Sequence, residues 1–134
     1  MNIKEIAYET ITALKLVSVK DVCIDHIHPH WDGKPRFYIT SEPTKPEDAT
    51  QLNIVTATTD MAIHCIASKR EEADDLVRKA VSAVYAKFSE LEEERGSGIF
   101  CMTFIEHNTF QLERADAFQA FFTFRILHKL TPNP

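Results

Sequence analysis

The sequence predicts an α+β protein in which a mixed or antiparallel sheet of about four to five strands packs against one long amphipathic helix, with a short helix at the N-terminus. Two observations support this prediction. Apolar residues alternate along 60–67, fall at helical spacing along 73–91, and alternate again from residue 99 onward. In addition, 134 residues suit one domain and bury about two thirds of their unfolded surface on folding. We therefore expect residues 1–134 to form a single domain.

The first predicted elements are a short helix and two strands. Asn2 is a typical N-cap residue, and apolar side chains recur on one stripe between Ile3 and Leu14, which predicts the helix. Valine and isoleucine are frequent in 18–27, which predicts the first strand. A segment rich in proline and glycine follows and indicates a turn, and Arg36–Ser41 is then predicted as the second strand.

The segment after the second strand predicts a long mobile loop. Residues 42–50 contain two prolines and mostly polar side chains, so they have little apolar surface to bury. Residues 52–67 then regain strand character. Because this stretch is long for one strand, we expect either a single long strand or two strands joined by a bulge near Thr58 and Thr59.

The long helix has the clearest pattern in the sequence. Ser68 and Glu71 have the spacing of a capping box, and a continuous apolar stripe follows from Ala73 to Leu91. The acidic residues at 92–94 oppose the helix dipole, and the Gly-Ser-Gly sequence that follows is typical of a helix terminator. We therefore expect the helix to end before residue 96.

Two Phe-rich strands complete the predicted sheet, Ile99–Ile105 and Ala117–Leu127, and we expect both apolar stripes to face the long helix. The stripes comprise Phe100, Met102 and Phe104 in the first strand and Phe118, Ala120, Phe122, Phe124 and Ile126 in the second. The charged segment between the strands predicts a long hairpin whose tip stands away from the core. Phe121 lies on the opposite face from Phe122, and an apolar residue on a polar face indicates a partner surface.

Composition and charge argue against several classes of function. The net charge is −5 and the basic residues are scattered, which argues against binding nucleic acid by neutralising phosphates. The sequence has no run of about twenty apolar residues and no signal-peptide pattern, so we expect a soluble intracellular protein with no membrane span. Cys23, Cys65 and Cys101 lie in apolar stretches, and we expect them to be buried free thiols in a reducing compartment.

One cluster of residues is compatible with metal chemistry. His26, His28 and His30 alternate, so an extended strand would place three imidazoles on one face, where they could bind a transition metal. Pro29 interrupts that strand, however, and no downstream group of His, Asp or Glu has ligand spacing. We therefore predict no metal, no cofactor and no catalytic residue. A small metal-dependent hydrolase that uses these three histidines remains the alternative.

The order of elements resembles the tail terminator proteins, a minor tail protein family of long-tailed bacteriophages. The resemblance covers nearly the whole chain. It rests on an N-terminal helix, a strand led by a proline at 35–40, a polar acidic loop at 42–51, a strand at 60–67 followed by a helix from residue 72, and a polar hairpin leading into an aromatic-aliphatic strand at 117–127. The His-rich segment at 26–30 has no counterpart in the family.

The resemblance implies a structural virion protein and not an enzyme. Such proteins form a homohexameric ring that caps the tail tube, ends its polymerisation and provides the surface for head-tail joining. The implied partners are other copies of the chain, the tail tube protein and a head-completion or connector protein, with no sequence-specific nucleic acid binding and no membrane. The implied location is the head-proximal end of the tail in the virion, and the host cytoplasm during viral tail assembly.

The resemblance also implies which residues meet a neighbouring subunit or the tail tube. These are Thr44, Lys45, Glu47, Asp48 and Gln51 of the polar loop. Together with Phe121 they form the predicted partner interface. Another neck or tail completion component of a bacteriophage, or a bacterial interaction module, remains an alternative reading.

Overall fold

The computed structural model describes residues 3–25, 33–42, 45–46, 56–112 and 116–129. In chain order, the elements are helix α1 (Ile3–Ala13), strands β1 (Val22–Ile24), β2 (Arg36–Ser41), β3 (Lys45–Pro46) and β4 (Thr56–Ala67), helix α2 (Arg70–Glu93), and strands β5 (Ile99–Leu112) and β6 (Ala117–Lys129). The predicted α+β class, with a short N-terminal helix and one long helix, is confirmed.

The strands form one mixed sheet in the order β1-β2-β4-β6-β5. β1 runs parallel to β2, whereas the β2-β4, β4-β6 and β6-β5 pairs are antiparallel. The two-residue β3 pairs with the start of β4. Because β6 lies between β4 and β5, it connects the two halves of the sheet, and β5 is left as an edge strand.

Both helices pack on the same face of the sheet. The 24 residues of α2 span about 36 Å, long enough to contact β4, β5 and β6. Its buried stripe meets the inward side chains of the strands, and Phe37, Phe88 and Phe124 are among the largest side chains that are fully buried there. The buried side of α1 joins the same cluster. Burial of each such side chain contributes about 1.5 to 3 kcal/mol, so this layer supplies much of the free energy of folding.

Two polar pairs are buried beside this apolar core. The Oγ1 atom of Thr59 lies 2.8 Å from Nε2 of His128, across the β4-β6 pair. The guanidinium of Arg36 donates from Nε and Nη2 to the Asp21 carboxylate, at 3.4 and 3.3 Å. This ion pair holds the 3₁₀ turn Val19–Asp21 against β2. Because an unpaired polar group is costly to bury, each pair fixes the position of its elements.

The N-terminal half differs from the sequence prediction in two places. The 3₁₀ turn occupies the start of the first predicted strand, so β1 is only three residues long. β1 ends before Asp25, because this residue has a φ of 59° and is not extended. The predicted loop contains β3, because its Lys45 and Pro46 pair with Thr58 and Ala57. From residue 56 onward β4 is one strand in unbroken register with β6, which agrees with the single long strand, the first of the two alternatives expected for this stretch. Residues 52–55 lie outside the described part of the chain.

The ends of α2 only partly agree with the prediction. The helix ends at Glu93 as expected, but its N-cap is Lys69 instead of Ser68, with no side-chain capping bond. The capping box is therefore wrong. The reason is geometric, because Lys69 still has extended dihedral angles and its carbonyl oxygen accepts the first helical bond, from the amide of Ala73 at 3.0 Å.

The predicted burial of the β5 stripe is also wrong. Phe100 and Phe104 remain 48% and 52% exposed, although Met102 packs on the core. Register shifts at residues 99–101 and 104–106 break the simple alternation, and among the described strands β5 has a neighbour on one side only. The alternating stripe of β6 does face α2, as predicted. Among the cysteines, Cys65 is buried but Cys101 is exposed, which corrects the expectation of three buried thiols.

Candidate partner surface

The face of the sheet opposite the helices, here called the open face, carries the most distinctive group of side chains. Alternation along each strand sends every second residue to this face. Three strands contribute side chains that line up across the sheet: Tyr38 and Thr40 from β2, Asp60, Ala62 and His64 from β4, and Phe121, Thr123 and Arg125 from β6. They form three parallel rows of different character.

The first row is aromatic and crosses the sheet from β2 to β6. Tyr38 is paired with His64 and His64 with Phe121 in the strand register. The rings of Tyr38 and His64 are stacked, with centroids 4.5 Å apart and an interplanar angle of 9°. The centroid of Phe121 lies 5.7 Å from that of His64, and Phe110 of β5 extends the contact at 6.2 Å from Phe121. The aromatic row is therefore continuous over four strands.

Hydrogen bonds define the protonation state of His64. The amide nitrogen of Gln119 lies 2.9 Å from Nδ1 of His64, and because an amide NH₂ can only donate, Nδ1 accepts. In the neutral ring the proton is then on Nε2, which lies 3.1 Å from Oγ1 of Thr40 and donates to it. Burial lowers the pKa of His64 from 6.5 to about 4. The imidazole is therefore neutral at physiological pH.

The second row consists of small side chains and leaves a groove. Thr40 is paired with Ala62, Ala62 with Thr123, and Thr123 with Glu106 of β5. Small side chains between two rows of large ones leave a trough across the strands, with a volume of about 290 Å³. Glu106 and its neighbour Ile105, which occupies the register shift in β5, line the β5 end of this groove.

The third row is charged. The guanidinium of Arg125 donates from Nε and Nη2 to the two carboxylate oxygens of Asp60, at 2.9 and 3.1 Å. This pairing raises the pKa of Arg125, and the nearby charge of Glu42 adds to the effect. The backbone amide of Glu42 donates to the carbonyl oxygen of Asp60 at 2.9 Å, which fixes Glu42 at the edge of the groove.

The edge strand β5 is a second exposed feature. Phe100, Phe104 and Ile105 are between 40% and 52% exposed, and they lie close together in sequence on a strand that has one hydrogen-bonded neighbour within the described part of the chain. Side chains cover some backbone groups of this strand: Glu92 accepts from the amide of Met102, and Arg70 donates to the carbonyl oxygen of Thr109. An edge strand with apolar side chains is a template on which another chain can dock.

A polar cluster attaches α2 to the far half of β5. Asp74 forms an ion pair with Arg78 at 2.9 Å, and its other carboxylate oxygen lies 3.6 Å from Nε2 of His107. The Arg78 guanidinium holds the pKa of Asp74 below its usual value. The Arg78 guanidinium also lies 5.9 Å from the ring centroid of Phe122. These contacts join partly exposed groups of the helix to the strand.

The structure places the predicted interface residues only in part. Phe121 lies on the face opposite Phe122, as expected, but it is half-buried against the aromatic row. Lys45 lies in β3, beside the start of β4. Thr44, Glu47, Asp48 and Gln51 lie outside the described residues.

The predicted metal candidates also lie outside the described part of the chain. His26, His28 and His30 belong to the segment 26–32, for which the structure gives no placement. Within the described ranges, no group of three His, Cys, Asp or Glu side chains could hold a metal ion. In the same ranges, no helix is long and apolar enough to span a membrane.

The sequence analysis did not predict the contacts of His64 or the row of small side chains. His64 stands alone in the sequence, and its partners come from β2 and β6, so their pairing depends on the strand order. The available signal was the alternation along β4, which places Asp60, Ala62 and His64 on the face away from the apolar residues. That pattern indicates a polar face, but the strand register is needed to show which side chains of the neighbouring strands contact His64.

The fold is similar to that of a chain in the virion of a native gene transfer agent particle. The TM-score is 0.55, and the match covers 92% of this chain and 92% of that chain, with 18% identical residues. At this level of identity the likeness concerns the fold alone. The sequence matches no family model and no curated protein.

Proposed function

We propose that this protein is a structural virion component of a bacteriophage-like particle, and specifically a tail terminator. In this role it forms a homohexameric ring that caps the tail tube, ends tube polymerisation and provides the head-tail joining surface. The observation that carries the proposal is the fold similarity to a chain of the gene transfer agent virion, since it extends over 92% of both chains. The element order of the sequence supports the same assignment.

The surface of the molecule is compatible with a ring. A closed ring needs heterologous contacts, in which one patch of each subunit meets a different patch of the next. Phe100 and Phe104 on the β5 edge, and the groove of the open face, are two such patches with different chemistry, and Ile105 borders both. The net charge of −5 also suits a protein beside a passage for DNA, because it repels the genome instead of holding it.

In this role, the whole chain and its partners have the following assignments. Residues 1–134 act as one domain without catalytic residues, and the partners are further copies of the chain, the tail tube protein and a head-completion protein. The loop residues Thr44, Lys45, Glu47, Asp48 and Gln51, together with Phe121, contact a neighbour. The protein then resides at the head-proximal end of the tail in the virion.

A different neck or tail completion component is the nearest alternative, because the same fold similarity supports it. The two proposals differ in the size of the ring, since a terminator must match the six-fold tail tube. A metal-dependent hydrolase depends on His26, His28 and His30, and no observation on the described residues favours it.

The oligomeric state tests the proposal. Native mass spectrometry of the purified protein at increasing concentration should show a species of about 92 kDa, six times the 15.3 kDa chain, which dissociates to monomers on dilution. Electron microscopy of the same sample should show six-fold rings. Dimers at every concentration, or rings with a different number of subunits, would contradict the terminator assignment.

A further inference from the structure

The groove on the open face has two walls of different chemistry. One wall is the aromatic row, in which His64 and Phe121 present ring surfaces. The opposite wall is formed by Glu42 and Asp60, and Glu106 closes the β5 end. The floor is low because Thr40, Ala62 and Thr123 are small. A ligand in this groove therefore contacts ring faces on one side and carboxylates on the other.

The charges around the groove are unbalanced. Among the described residues, its lining contains three carboxylates, those of Glu42, Asp60 and Glu106, and no lysine or arginine side chain. Arg125 compensates the charge of Asp60 from the neighbouring row. His64 contributes no positive charge at neutral pH, because its pKa is about 4. Arg125 also interacts with the charge of Glu42, so among the described residues around the groove one cation faces three carboxylates. Glu42 and Glu106 are exposed at the rim of the groove.

We propose that this groove receives an arginine side chain from a neighbouring protein subunit. The proposal rests on the proposed function in that the subunit belongs to the same particle. The guanidinium lies over the ring of Phe121 and donates to the carboxylate of Glu106, while its aliphatic stem packs on Ala62 and Ile105. The carboxylate of Glu42, at the β2 end of the groove, adds to the attraction at longer range. The groove thereby becomes the acidic half of a contact between subunits.

Arginine fits this site better than lysine or an apolar side chain. Its planar guanidinium can stack on an aromatic ring and donate to carboxylates from its edge at the same time, whereas an ammonium is a point charge with stronger hydration. An apolar occupant would leave the carboxylates of Glu42 and Glu106 against a dry surface, which is unfavourable. The stem of arginine is apolar enough to cover the small floor of the groove.

The test uses the monomeric protein at low concentration and N-acetyl-arginine amide as the probe. Titration should be followed by chemical-shift changes in the ¹⁵N-¹H spectrum. We expect saturable changes at Ala62, His64, Phe121 and Thr123, with a dissociation constant on the order of 10 mM, because one side chain makes few contacts. Binding should weaken as salt is added. N-acetyl-lysine amide should bind about threefold more weakly.

Variants connect the binding to the carboxylates. Glu106→Gln should weaken arginine binding about threefold, and Glu42→Gln combined with it should remove the saturable changes. Glu90→Gln, which removes an exposed carboxylate from α2, serves as the matched control and should bind like the parent. The spectrum without probe shows whether each variant is folded.

Several results would overturn the inference. Shift changes that spread over the whole surface, equal binding of N-acetyl-glutamate amide, or equal effects of Glu106→Gln and Glu90→Gln would each do so. The measurement needs no ring, so it separates the two proposals. Arginine binding without ring formation would contradict the proposed function alone, whereas a six-fold ring without arginine binding would contradict the groove assignment alone.

Discussion

His64 shows how a single side chain can order an exposed face of a sheet. Its ring stacks on Tyr38, accepts from Gln119 and donates to Thr40, so three strands converge on one imidazole. Of these contacts, the one from Gln119 requires Nδ1 to be unprotonated, which places the proton of the neutral ring on Nε2. Burial favours the same neutral form.

We predict that this histidine makes the protein less stable in mild acid. The pKa of His64 is about 4 in the folded protein and about 6.5 in the unfolded chain, so between these values the unfolded state binds a proton that the folded state does not. The free energy of unfolding therefore falls as the pH decreases through this window. Between pH 7 and pH 5 the loss should be about 2 kcal/mol, measured by urea denaturation.

His64→Gln supplies the comparison for this prediction. Glutamine can hydrogen-bond but does not titrate, so the variant should be less stable at pH 7 and should lose most of the pH dependence between pH 7 and pH 5. His107→Gln removes an exposed histidine and should retain the full loss, because His64 is still present. An unchanged pH dependence in His64→Gln would show that another group is responsible.

At the scale of elements, the sequence predicts what depends on local periodicity. α2 and β6 have long, regular apolar stripes, and both have the predicted type and inward face. The β5 bulges and the position of the α2 N-cap were not predictable in this way. A register shift depends on the pairing with β6, and the capping residue depends on where β4 delivers the chain.

For the candidate site, the sequence predicts only on which face of the sheet a residue lies. The alternation along β6 correctly separates Phe121 from Phe122, because neighbouring residues of a strand point to opposite sides. The groove forms because the strand register aligns Thr40, Ala62 and Thr123, which come from three strands that are far apart in sequence. A single sequence contains no local signal for that register.

The segment around β3 yields a prediction at the element scale. Replacing residues 43–50 by a short Gly-Ser linker removes two paired residues of the sheet, Lys45 and Pro46, and little apolar surface. The free energy of unfolding should fall by only about 1 kcal/mol. Termination should be impaired, because the proposed contacts of Glu47 and Asp48 are lost. Electron microscopy of lysates complemented with the variant should show tails of abnormal length or tails without heads.

A second replacement distinguishes the effect of losing β3 on stability from the effect of losing the proposed loop contacts on termination. Exchanging only residues 47–50 keeps β3, so its unfolding midpoint should equal that of the parent. It should still impair termination if the acidic residues of the loop make the contact. Normal, head-joined tails in both variants would show that this segment is a passive connector.

For the whole molecule, the exposed edge of the sheet is the feature most relevant to assembly. We predict that Phe104→Lys weakens formation of the proposed ring at least about tenfold in subunit concentration, because it places a charge beside an edge that another copy would cover in that ring. Phe104 is half exposed and touches the rings of Phe122 and Phe124 at their outer side, so we expect a folded monomer. Native mass spectrometry over a concentration series measures the effect.

Tyr85→Lys is the matched control, since Tyr85 has the same exposed fraction of 52% but lies on α2. It should form rings like the parent. Equal weakening by both substitutions would indicate a general effect of added charge. If neither has an effect, β5 is not part of the contact between subunits.

The central position of β6 also has a consequence for the order in which the chain can fold. β4 and β5 flank β6 in the sheet and are not neighbours of one another. As the chain leaves the ribosome, α2 and the first strands are available early, but β5 has no strand to pair with until residues 117–129 follow. The hairpin of β5 and β6 can then close locally, and the same β6 must pair with β4 across the length of α2. The sheet therefore cannot be completed before residues 117–129 have been synthesised.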